Sequence, residues 1–249
     1  MIVYKYVSFC AGKAILSGLE IGYSNPWDFN DPFELGAAYD LLPNSAFAPL
    51  VLRSMMERNA ILSLTRSPLN PLLWAYYAEQ HTGFVIGWDA EVAGFTDVTK
   101  NLIPVQFGNV IYTATRPTSK LIGSTGAMNY GQEFGYRSEL LETLQRFFLY
   151  KAMYWSYEEE VRVVKCVCGG DLSQIQSGPL RLLQHNKKHL FLSPFPRNAI
   201  KEIYLGLNNP IVMKKEDSCM LKSWSADANV LECRMTPNAW ALSAVEFAC

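Results

Sequence analysis

The periodicity of hydrophobic and polar positions changes many times along the chain, and each change marks an element. Residues 2–7 are β-rich, 11–19 read as a helix and 20–24 as a short strand. Residues 25–33, NPWDFNDPF, hold two prolines, two asparagines and two aspartates, which predicts an ordered loop or a stack of turns. Three aromatic residues in so polar a loop (Trp27, Phe29, Phe33) predict that it folds back on the body. Residues 45–60 read as a helix with Asn44 or Ser45 as N-cap, and 61–65 as a strand. Asn70 and Pro71 start a helix through LLWAYYAEQ that stops at Gly83. Residues 84–88 (FVIGW) predict a buried strand, and 105–113 supply further strand material.

The stretch 115–135 is rich in Gly, Ser, Thr and Pro and reads as a flexible flap, because apolar patterning resumes at once after it. From Ser138 an amphipathic helix carries Leu140, Leu141, Leu144, Phe147, Phe148 and Met153 near one face and ends near Trp155. EEEVRVVKCVC follows as a strand with partial alternation. Residues 188–193, 199–207 and 229–235 are further strands, with a helix over 209–222. There are no internal repeats and no heptads. Strands and helices interleave without regular βαβ units, which predicts one α+β domain over 1–249, with a central mixed or mostly antiparallel split sheet flanked by helices.

Composition adds a few limits. Hydrophobic residues make up 49% of the 249 and charged residues 18%, a balance that excludes disorder. The formal net charge of −1 argues against a polyanion-coating protein. No apolar run approaches the roughly 18 residues of a membrane span, and the N-terminus lacks the pattern of a signal peptide. Six scattered cysteines and three histidines show no zinc-site spacing. Reduced thiols in a cytoplasmic protein, no membrane partner and no metal are therefore the expectation.

Familiar catalytic signatures are absent: no GxGxxG, Walker loop, HExxH or GxSxG occurs. Four polar-aromatic islands remain. In Tyr4-Lys5-Tyr6 the two tyrosines share a strand face and Lys5 points the other way; aromatics packing on a core face is the plainer reading. The loop 25–33 carries Asp28, Asn30 and Asp31, with Glu34 just after; short Asx side chains most often cap turns. Ser63-Leu64-Thr65 precedes a helix on which Trp74, Tyr77 and His81 form one stripe, where core packing is the plainer role. Finally, Glu158, Glu160 and Arg162 share a face if their segment is a strand. Two carboxylates and a guanidinium cannot be buried unpaired, so they form either an ion pair on a solvated face or a cleft that meets a polar ligand.

In order, these islands resemble a bacterial family of domain-of-unknown-function proteins with YKY, FNDPFE, a SLS-like strand, LMWAHYA, HxGFxIGFD and K…WxYExEWR motifs. The matching stretches are Tyr4–Tyr6, Phe29–Glu34, Ser63–Thr65, Leu73–Ala78, His81–Asp89, and Lys151 with Trp155, Tyr157, Glu158, Glu160 and Arg162. The chain departs at Tyr76, where many members carry a histidine, and at Val161, where an aromatic is common. More distantly, the layout is similar to ADP-ribosyltransferase folds, including toxins that modify nucleic acids. That resemblance implies an enzyme, an effector of toxin or phage-defence type, that cleaves NAD at the nicotinamide–ribose bond and transfers ADP-ribose to a protein or nucleic-acid acceptor, with a neutralising partner as a further implication. Carried over residue by residue, Lys5 or Tyr6 holds NAD, Ser63 takes the second-motif role, Trp74 or Tyr77 stacks on nicotinamide, and Glu160 acts on the ribose. Glu158 orients the acceptor or raises the proton affinity of Glu160. Lys5, Arg66 and Arg162 are candidate partners of the pyrophosphate. Two alternatives stand beside this: a metal-dependent nuclease using Asp28, Asp31, Glu158 and Glu160, and a non-catalytic sensor whose aromatic pocket holds a small ligand.

Overall fold

In the computed structural model, described for residues 1–34, 37, 48–117, 135–167, 180–185, 188–214, 221, 224 and 228–247, the fold is α+β, with a large mixed sheet and several helices. The proposed flap over 115–135 and the N-cap at Asn44 or Ser45 lie largely or wholly outside the described residues. Two compact units emerge, each assembled from separated segments. Unit 1 combines Met1–Ile21, Leu64–Gly94 and Phe195–Cys249; unit 2 combines Gly22–Ser63 and Phe95–Pro194.

Unit 1 is built on β1 (Ile2–Val7), β4 (Phe84–Asp89), β10 (Ile200–Leu205), β11 (Asn229–Met235) and β12 (Leu242–Glu246). β4 lies between β1 and β10 and pairs antiparallel with both; β10 and β11 run parallel, and β12 closes the edge antiparallel to β11. Helix α1 (Phe9–Gly18) starts on Ser8, whose side chain accepts from Ala11 N, and ends on left-handed Leu19. It lies close on β4 because Gly12 has no side chain: a Cβ there would sit 2.3 Å from the Phe84 ring. The later helix Pro71–Tyr77 starts on Asn70 as the sequence predicts, with Pro71 in its first turn.

Unit 2 holds β2 (Glu20–Ser24, whose first two residues belong to unit 1), most of β3 (Asn59–Thr65), β7 (Glu160–Cys166), β8 (Arg181–His185) and β9 (Lys188–Pro194). β2 and β3 pair antiparallel, as do β8 and β9, and β7 lies beside β3. A separate parallel pair joins β5 (Ile111–Thr113) and β6 (Tyr150–Ala152). Helix α2 (Ala48–Arg58), with α3 the Pro71–Tyr77 helix of unit 1, precedes α4 (Leu141–Phe148). Leu52, Met55 and Met56 of α2 and Leu144, Phe147 and Phe148 of α4 share one buried core with Val164 of β7, and Phe29 leans on it from the loop. The loop therefore folds back on the body through Phe29, while Trp27 and Phe33 stay exposed.

Several boundaries differ from the periodicity. The helix expected from Ser138 to Trp155 is a 3-10 turn (Ser138–Leu140) and α4, followed by β6 and a 3-10 segment (Met153–Glu158). The apolar stripe ends at Phe148, and the residues after it are recruited by β5. The expected 105–113 strand is a 3-10 turn at Val105–Phe107 and the short β5. The helix over 209–222 is described for Pro210–Lys214. β8 and β12 carry no pattern that separates them from loop in the sequence.

Candidate functional site

β7 begins abruptly. Glu159 adopts a left-handed conformation (φ +45°), which turns the 3-10 segment into the strand and leaves Glu159 exposed while Glu158 and Glu160 are buried. All seven residues of β7 are buried. Its backbone is pinned on one side by Arg162 N donating to Gly108 O at 2.8 Å. Gly108 is obligatory there, since a Cβ would lie 1.8 Å from the Arg162 carbonyl oxygen.

Five charged side chains meet at this strand. Arg162, 1% exposed, donates through Nε to Glu160 Oε1 at 2.8 Å and through Nη2 to Glu160 Oε2 at 3.0 Å. Its Nη1 donates to the Phe148 carbonyl, and its Nη2 also reaches Glu34 Oε1. Lys151 on β6 donates to Glu158 Oε2 at 2.6 Å and Glu160 Oε2 at 2.9 Å, and lies 3.9 Å from Glu34 Oε2. The Arg162 guanidinium sits over the Phe29 ring at 5.5 Å, and Lys151 over Trp155 at 5.3 Å. Tyr112 accepts a hydrogen bond from Glu160 N. Ser63, on neighbouring β3, hydrogen-bonds the Glu160 carboxylate.

The electrostatics follow from this geometry. Burial works to raise the Glu160 carboxyl, but attraction to Arg162 and Lys151 and the hydrogen bonds of Arg162 and Ser63 override it, holding Glu160 well below the usual carboxylate range. Burial likewise opposes the charged forms of Lys151 and Arg162, and the surrounding carboxylates overcome it, so both remain protonated beyond their ordinary range. Burial chiefly pushes Tyr112 up to about 12, so its phenol stays neutral. Glu34, Glu158 and Glu160 face Lys151 and Arg162, so the cluster holds one more carboxyl group than it has cations. On the opposite face of β7, burial depresses Lys165 to about 8; its Nζ lies 3.3 Å from the Lys100 carbonyl and over the Tyr23 ring.

The sequence-derived candidates thus fall into two sets. Half-buried Ser63 and the buried, paired Glu158, Glu160 and Arg162 come together in unit 2, where the sequence left a solvated face and a ligand cleft as alternatives for the charged three. Lys5, Tyr6, Trp74 and Tyr77 lie in unit 1. There the Tyr6 hydroxyl donates to Ser67 O and accepts from Asn70 N, tying β1 to the start of α3. Trp74 is wholly enclosed: its Nε1 donates to Pro68 O and its ring meets Tyr6 edge-on and His81 in parallel. Tyr77 keeps an exposed face, Lys5 is half-buried, and Arg66 is exposed. The predicted stripe ends early because α3 stops at Tyr77; Glu79, Gln80 and His81 then form three successive left-handed residues (φ +50°, +54°, +68°). Asn208 and Asn209 hold that turn through its backbone carbonyls, and His81 Nδ1 is buried without a partner.

Glu34, Lys151 and Tyr112 are the members that sequence reasoning passed over as site residues. Lys151 and Glu34 were present as ends of motifs, but nothing local connects residues so far apart. Among the described residues no three or more His, Cys, Asp or Glu are grouped to hold a metal ion. Asp28 accepts from His189 N, and Asp31 closes an Asx turn on Phe33 N. No described helix is long and apolar enough to cross a membrane.

The family model for DUF2971, a protein family of unknown function, matches residues 73–163. The matched span includes Trp74, Tyr77, His81, Lys151, Glu158, Glu160 and Arg162, and leaves out Lys5, Tyr6, Glu34 and Ser63. No curated protein and no solved structure is detectably similar to the chain.

Proposed function

We propose that the carboxylate centre of unit 2 cleaves the nicotinamide–ribose bond of NAD and transfers ADP-ribose to a macromolecular acceptor, in the manner of ADP-ribosyltransferases. The observation that carries this is the Ser63–Glu160 hydrogen bond: a serine-bearing strand lies beside the late strand that opens on glutamate, with that glutamate held ionised. In the reaction, the bond between the pyridinium nitrogen and C1′ breaks, its electron pair passes to nicotinamide, and the ribose becomes oxocarbenium-like. An ionised Glu160 stabilises that positive charge as it develops. The acceptor then bonds to C1′ and gives its proton to solvent water, with Glu158 orienting it. Ser63 fixes the rotamer of Glu160.

A second reading, a purely structural ion-pair network, is supported by the burial of Glu160, which is 6% exposed. The two readings separate in one experiment: incubation of the full chain with labelled NAD and cell lysate, comparing wild type with Glu160→Ala and Ser63→Ala. The expected result is nicotinamide release and label transfer by the wild type, reduced on the order of a hundredfold or more in Glu160→Ala. Absence of both release and transfer in the folded wild type refutes the transferase.

A further inference from the structure

The sheet of unit 1 stops at an open edge. Among the described residues β12 pairs with β11 and with no other strand, and that pairing fixes which of its backbone groups are left over. Thr236 N donates to Ala241 O and Phe247 N to Val230 O, so the ladder is hydrogen-bonded at both ends. Hydrogen-bonded and non-hydrogen-bonded pairs alternate along an antiparallel ladder. Ser243 and Val245 therefore turn their N–H and C=O towards β11, while Leu242, Ala244 and Glu246 turn theirs outward.

Such edges are usually blunted by lysine, proline or a bulge. Leu242–Val245 has neither residue, its register with β11 is unbroken, and the charge of Glu246 lies at the far end. By contrast β8, an edge of unit 2, carries Arg181 and His185 at its ends. A row of outward donors and acceptors is complementary to another extended strand, and here the row is complementary to itself. With a twofold axis at Ala244, that residue meets its own copy, and Leu242 meets the second copy's Glu246 in both directions. Each of these pairs exchanges two hydrogen bonds, so every outward group of both strands is used. A methyl side chain stands at the axis, and the two Glu246 carboxylates fall at opposite ends, each beside a leucine.

The turn that precedes β12 adds apolar surface. Trp240 is fully exposed and Met235 largely so, beside a hollow of about 370 Å³ lined by Asn238, Ala239 and Trp240. In the twofold register Ala241 stands opposite the second copy's Phe247, which brings that aromatic residue within one position of Trp240.

We propose that β12 is a homodimer interface, through which two copies of the chain join antiparallel along Leu242–Glu246 about a twofold axis at Ala244. The contact is isologous, so it closes at two copies and does not propagate. Strands of 5 residues cover little surface, which makes the dimer weak, with a dissociation constant on the order of 10–100 µM.

Sedimentation velocity of the full chain over about 5–500 µM tests this, since the dimer must appear with concentration. The wild type is expected to pass from monomer to dimer across that range. Ala244→Pro removes an outward N–H and no bond to β11; losing both bonds that this N–H makes possible across the axis should weaken the dimer about thirtyfold. If that variant does not fold, Glu246→Pro removes another outward N–H with the same expected direction. The register has its own test. Ala244→Lys sets two ammonium groups against each other at the axis and should be monomeric, and mixing it with Ala244→Glu should restore dimers. A wild type that stays monomeric throughout, as it would if the edge received an unrelated peptide, overturns the proposal. So does a dimer unchanged by either proline, or a lysine–glutamate mixture no more dimeric than each folded variant alone.

Discussion

Replacing Arg162 with methionine is the sharpest test of the idea that the five charged side chains act as one network. The substitution keeps most of the buried length and leaves three carboxylates facing Lys151 alone. Breaking a buried ion pair from one side costs about 3–5 kcal/mol, because the orphaned charge remains desolvated. Glu34→Gln should cost much less, about 1–2 kcal/mol, since each cation keeps a carboxylate at 2.6–2.9 Å. Acidity adds a signature. In the wild type the Glu160 carboxyl lies below its unfolded value, so its contribution is present above that value and is lost only as pH falls through the depressed one. Without Arg162 burial weighs more on Glu160, its folded carboxyl becomes harder to ionise, and the variant regains stability as it protonates. Urea unfolding at several pH values reads both effects. The gap between wild type and Arg162→Met should be widest near pH 7 and narrow towards pH 4. A constant gap, or equal costs for Arg162→Met and Glu34→Gln, would refute the network.

Three further outcomes are expected. Lys165→Met should stabilise the protein near pH 7 by about 1–3 kcal/mol, because burial holds the folded lysine at about 8, below its unfolded value; that penalty disappears as pH rises past about 10, so the gain measured by urea unfolding should vanish there. Gly108→Ala forces a Cβ against the Arg162 carbonyl and should cost about 1–3 kcal/mol in the same assay, with a displaced β7 visible as faster amide exchange at Arg162. Gln80→Gly relieves the middle residue of the left-handed turn and should raise stability by about 0.5–1 kcal/mol in thermal unfolding, less than the full steric gain because glycine also loosens the unfolded chain.

What the sequence made legible was chiefly local. Asn70-Pro71 marks a helix start by side-chain chemistry alone, and the loop 25–33 announces itself through its prolines and Asx residues. The shared face of Glu160 and Arg162 follows from the two-residue period of a strand. Their partners did not follow, because Lys151 and Glu34 arrive through tertiary structure that no spacing encodes. The helix overrun past Phe148 has the same origin: Tyr150–Ala152 has no strong strand pattern and becomes β6 only by pairing with β5. Trp74 illustrates the converse, an aromatic whose stripe position was right but whose enclosure depends on Tyr6, Pro68 and His81.

The 128-residue separation of Glu34 from Arg162 sets a schedule on the ribosome. At about 5–20 residues per second, Glu34 emerges roughly 6–25 s before the guanidinium that will neutralise it in the core. For that interval the loop and Phe29 have no finished surface to close upon. Unit 1 waits longer still, since β4 gains its neighbour β10 only after the whole of unit 2 has been made. Synthesis therefore delivers the charged centre before the sheet of unit 1 is complete, and a stall between the two would leave β4 with an unpaired edge open to chaperones and proteases.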